Sequence, residues 1–147
     1  MPVFPSVQWF NTVREIINHD EAYRHLGTCD AVMGVEVGDK VYKLTFEAFE
    51  CTNVREAGDN DLRDMDFWLD QSYDGWKDML TNIRTHGSAD LSHTLNTIDL
   101  SIPEGFAQSS DGYRRDAFYR FNQSIQDFFN ASAKIDTQYA PAEAVTA

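Results

Sequence analysis

The sequence predicts an α+β domain: a mostly antiparallel five-stranded sheet, helices packed on one face, and an extra long helix near the C-terminus. Three observations carry this. Apolar residues recur at helical spacing near both ends of the chain, two alternating runs meet at a Gly-Asp pair, and helical and strand patterns come in blocks.

Taken in order, Ser6 is placed to cap a helix with Trp9, Phe10, Val13, Ile16 and Ile17 along one face. Asp20 can cap a short second helix that Gly27 stops. Cys29, Ala31, Met33, Val35 and Val37 then alternate with other residues, as do Tyr42, Leu44, Phe46 and Ala48 beyond Gly38-Asp39. Pairing Val37 with Lys40 sets Val35 opposite Tyr42, Met33 opposite Leu44, Ala31 opposite Phe46 and Cys29 opposite Ala48. A slip of one residue would send every apolar side chain to the wrong face, so this register is well defined.

Cys51 to Ala57 reads as a third strand, Gly58 to Asp61 as a polar turn, and Met65 to Leu69 as a fourth strand. Ser72 caps a helix carrying Trp76, Met79, Leu80 and Ile83, with Gly87 at its end. Leu91 and Leu95 suggest a short helix, and Ile98, Leu100 and Ile102 a fifth strand. Asp111 opens the last helix, whose stripe is Ala117, Phe118, Phe121, Ile125, Phe128 and Phe129. Residues 1–135 thus read as one domain and residues 136–147, rich in Ala and small polar residues, as a flexible tail.

The 147 residues carry a formal charge of −12, which repels nucleic acid and anionic membrane surfaces, and no basic run offers an exception. No secretory leader or membrane span is read in the sequence, and two cysteines make no disulfide framework. A cytoplasmic location with reduced thiols is the expectation.

Residues 5–83 resemble the sterol carrier protein 2-like family of lipid-binding domains. The resemblance is carried by the first helix with Trp9 and Asn18, by Tyr42-Lys43-Leu44-Thr45-Phe46, and by the run from Asp66 to Trp76. In that family a strand commonly leads into a Ser-capped helix with a Trp or other large apolar residue four positions on, where Ser72 and Trp76 stand here. The family's usual Gly-rich late strand is replaced by Ile98-Asp99-Leu100-Ser101-Ile102. The resemblance implies a tunnel for a fatty-acyl or sterol-like guest, without catalysis and without a cofactor.

The residues themselves support an apolar site between sheet and helices, with walls from Met33, Val35, Leu44, Phe46, Trp68, Trp76, Leu80, Phe118, Phe121 and Phe128. The same residues serve equally as plain core. Two rival functions remain open: a small enzyme using Asp30, Asp66 or His25 on a hydrophobic substrate, and a scaffold that dimerises through the aromatic C-terminal helix. His86, Asp90 and His93 lack the spacing of a helical zinc pair, and Asp59, Asp61, Asp64 and Asp66 lack the Gly that a calcium loop requires at its sixth position. No metal site is expected.

Overall fold

A computed structural model describes residues 2–25, 29–48, 50–90, 94–95, 107–108 and 121–141. The domain is α+β. Ser6 accepts the Trp9 N–H and starts α1 (Val7–Asn18), and Asp20 accepts the Ala22 N–H at the head of α2 (Glu21–Arg24). Ser72 caps α3 (Tyr73–His86), which Gly87 closes in the left-handed conformation, and α4 spans Asn122–Asn130. The stretch before α4, where Phe118 and the predicted helix start lie, falls outside the described residues, as does the predicted strand at 98–102.

The main sheet holds β2 (Ala31–Val37), β3 (Lys40–Glu47), β4 (Glu50–Ala57) and β5 (Phe67–Gln71), with a two-residue strand, β6 (Ala107–Gln108), added at one edge. The strand order is β4-β3-β2-β5-β6. The β2–β3 hairpin has the expected register, from Val37 opposite Lys40 to Ala31 opposite Phe46, and the Cys29 N–H reaches the Ala48 carbonyl at 2.7 Å. Gly38 turns the chain at φ 59°, a left-handed conformation in which a Cβ would be strained.

The sheet is mixed where a mostly antiparallel one was expected: β2–β3, β3–β4 and β5–β6 pair antiparallel, but β5 runs parallel to β2. Strand β4 ends at Ala57 beside Val41, at the hairpin-turn end of the sheet, whereas β5 begins at Phe67 beside Met33. Residues 58–66 therefore carry the chain back along the sheet, partly as a 3-10 helix over Asp59–Asp64, instead of making a tight turn. A short reversal gives antiparallel strands, and a connection that travels the sheet's length gives parallel ones.

That crossover lies on the face away from the helices. At Gly34 a Cβ would come within 2.6 Å of Met65 Sδ and 2.8 Å of Trp68 Cβ, so only glycine lets the crossover approach this closely. Met65 and Val41 are buried there, outside the main hydrophobic cluster. On the opposite face, α1, α3 and α4 cover one core running from Phe4 to Ile135. Helix α1 is also tied to the edge strand: Asn18 donates to the Cys51 carbonyl and accepts its N–H, both at 3.0 Å, and Arg14 Nε adds a bond of 2.8 Å to the same carbonyl.

The reading of residues 136–147 as flexible is corrected for their first part. Strand β7 (Gln138–Tyr139) pairs in parallel with β1 (Val3–Phe4). Asp136 pairs with Arg84, Thr137 accepts the Trp9 indole N–H at 2.9 Å, and Ala140 accepts the Tyr73 hydroxyl proton at 2.5 Å. Composition gave no sign of this, because the segment is held by backbone pairing and by partners far away in sequence.

Candidate functional site

Seven of the ten predicted wall residues meet in the interior. Met33, Val35, Leu44 and Phe46 point from adjacent strands toward the helices, facing Trp76 and Leu80 of α3 and Phe128 of α4, and each is at most 2% exposed. Strand alternation puts the first four on one face, and i, i+4 spacing puts Trp76 above Leu80. A chain of rings links the layers. Phe46 meets Phe128 edge-on at 5.5 Å, Phe128 meets Phe129 at 5.4 Å, and Phe129 lies 5.3 Å from Trp76. The Trp76 indole N–H, which would otherwise be stranded in this apolar layer, donates to the Glu36 carbonyl at 2.8 Å.

The remaining three differ. Phe121 is half-buried against the same cluster, and Phe118 lies outside the described residues. Trp68 is not a wall of this site: it sits in register with Gly34 on the opposite face, half-buried. Its neighbours Phe67 and Leu69, both fully buried, take the inward positions. Strand alternation contained that information, since Trp68 must oppose Phe67 and Leu69, but only the pairing with β2 fixes which parity faces the helices. The described aromatics of α4 are spent inside the chain, Phe128 and Phe129 at 0% exposure, so they present no face to a second copy.

The residues weighed as catalytic are engaged elsewhere. Asp66 accepts the Val32 N–H at 2.8 Å and extends the β2–β5 pairing through its own N–H to the Val32 carbonyl. Asp30 accepts the Ala48 N–H at 2.9 Å and closes the open end of the hairpin. His25, exposed, ends α2. Asp61 accepts the Gly58 N–H and caps the 3-10 turn, while Asp90 takes a bond from Asn82. Among the described residues no three His, Cys, Asp or Glu side chains are placed to share a metal ion, and no charged side chain is buried.

Cys29 and Cys51 are free and buried. Burial pushes the Cys29 thiol up to about 12, with the Asp30 carboxylate adding to the effect. Burial also lifts the Cys51 thiol to about 12, outweighing the Arg14 guanidinium and a backbone hydrogen bond. A protonated thiol is a poor nucleophile, and both behave here as small apolar groups.

Clefts on the described surface are lined by other residues. One lies between Thr81, Arg84 and Tyr139, a second between Val7, Tyr42 and Ala140, and a third between Tyr23, Asp127 and Lys134. No described helix is long and apolar enough to cross a membrane. No protein-family model, curated protein or solved structure matches this chain.

Proposed function

We propose that this domain binds and carries a hydrophobic small molecule, a fatty acid, acyl thioester or sterol-like compound, between its sheet and its aromatic helices, without catalysis. The observation that carries the reading is the make-up of the interior. Met33, Val35, Leu44, Phe46, Trp76, Leu80 and Phe128 form one continuous apolar surface, and no charged side chain is buried among the described residues. Such a surface rewards an apolar guest by about 0.8 kcal/mol per CH₂ removed from water and asks little of its shape. A passive role is further supported by Asp30 and Asp66, whose carboxylates hold backbone N–H groups instead of facing that surface. The resemblance of residues 5–83 to sterol carrier-like domains points the same way.

Ring contacts from Phe46 through Phe128 and Phe129 to Trp76 close the two layers on each other, so binding on this reading requires α4 to part from the sheet. Native mass spectrometry of the purified chain is expected to show a small apolar adduct that organic extraction removes. Leu44→Trp, which fills the middle of the face, should weaken uptake of a fluorescent fatty acid while near-ultraviolet circular dichroism confirms a folded protein. Saturable uptake that is equal in a folded Leu44→Trp variant would sink the assignment of this surface. An extracted wild type that takes up no apolar probe would sink the function.

A further inference from the structure

Within the apolar interior, one polar atom lacks the partner its chemistry calls for. Tyr23 of α2 is only 6% exposed, and its hydroxyl, itself out of contact with solvent, has no hydrogen-bond partner among the described residues. Buried phenols normally find a partner, because leaving the group unpaired forfeits its hydration with nothing in return. Among the described residues Gln71 Nε2, Asn122 Nδ2 and Ser132 Oγ share this condition; Tyr23 is the one whose ring packs in the hydrophobic cluster that holds the proposed binding surface.

Its position within that cluster is informative. Cys29 bonds to Ala48 at the open end of the hairpin, and Cys51 stands in register with Phe46, whose ring meets Phe128. Tyr23 belongs to the same cluster and interacts electrostatically with both Cys29 and Cys51, which sets it near this end.

We propose that Tyr23 is the polar anchor of the binding site, donating a hydrogen bond to a neutral acceptor on an otherwise apolar guest: an ester, thioester or ketone carbonyl, or an alcohol oxygen. This rests on the binding reading above and narrows it. A free carboxylate fits the surroundings poorly. Asp127 lines the same cleft as Tyr23, and the chain carries a net charge of −12, so a second negative charge meets repulsion. Two described cations nearby are committed or solvated. Arg14 donates to the Cys51 carbonyl, and Lys134 stands exposed at the rim of the cleft.

The test is Tyr23→Phe, which removes the hydroxyl and keeps the ring. Dodecane, methyl dodecanoate and dodecanoate compete against Nile red for the wild type and the variant at neutral pH. The ratio of ester to alkane affinity is expected to fall by roughly fivefold in the variant, with dodecane binding unchanged. Without ligand, the variant should melt no lower than the wild type, since an unpaired hydroxyl has been removed. An unchanged ratio, a lower melting temperature, or dodecanoate binding that drops more than ester binding overturns the proposal. A wild type that binds none of the three compounds overturns the binding reading along with it.

Discussion

On one face of the sheet, Met33, Val35, Leu44 and Phe46 lie under three helices in a core dominated by aromatic rings. On the other, the described cover is a crossover of residues 58–66, and among the described residues the buried apolar contribution comes from Val41 and Met65 around the bare backbone of Gly34. The first face is filled with volume, and the second is made by leaving volume out. A large side chain on the helix face gains from every ring it touches, whereas any side chain at Gly34 would hold the crossover away from the sheet. The proposed binding role uses the helix face, where the larger apolar surface among the described residues lies.

The largest difference should appear on truncation. Phe128 is fully buried between Phe46 and Phe129, so Phe128→Ala removes a ring that the sheet and α4 cannot both close around. A loss of about 3–5 kcal/mol is expected in urea unfolding. Leu62→Ala on the far face, where Leu62 is only half-buried, should cost much less. Equal losses would mean that the two faces carry comparable shares of the stability.

Enlargement reverses the comparison. Gly34→Ala puts a methyl group 2.6 Å from Met65 Sδ and 2.8 Å from Trp68 Cβ. The Met65 side chain can swing aside, but the Trp68 Cβ is fixed to the neighbouring strand. The expected loss is about 1–3 kcal/mol, measured by thermal or urea unfolding. Adding Met65→Ala should recover part of it, so that the double variant loses less than the two single losses added together. Strict additivity would show that the crossover does not rest on Gly34.

The helix face was legible in the sequence, and the far face was not. Alternation at Met33, Val35, Leu44 and Phe46, together with the Gly38-Asp39 turn, specified the hairpin register residue by residue. Caps at Ser6, Asp20 and Ser72 specified where three helices start. These are local signals, readable from neighbours in the chain. The parallel β2–β5 pairing, the inward turn of Phe67 and Leu69 in place of Trp68, and the pairing of Gln138–Tyr139 with Val3–Phe4 depend on partners tens of residues away. Gly34 carried a hint, since a glycine inside a strand often marks close approach of another segment. The Tyr23 hydroxyl carried none, because lacking a partner is a property of three-dimensional surroundings.

The smallest expected effect on stability is the most direct probe of dryness. Cys29 and Cys51 face the helix layer, and burial holds both thiols at about 12. At pH 8 they should resist a thiol reagent until the protein unfolds. Thr45→Cys would place a thiol on the same strand as Phe46 but on the opposite, half-exposed face, where it should react readily. The swap should change stability by no more than ~0.5 kcal/mol. The buried pair also fixes the sign of the alkaline response. Because the folded thiols hold their protons to higher pH than unfolded ones, stability is full below the ordinary thiol pKa of ~8.5 and declines as pH rises from there toward 12. Replacing Cys29 with Ala should flatten that decline, whereas Thr45→Cys should leave its slope unchanged. Native Cys29 and Cys51 that react as fast as the thiol at position 45 would mean that water already reaches the helix-side layer, and a wet layer would not favour an apolar guest.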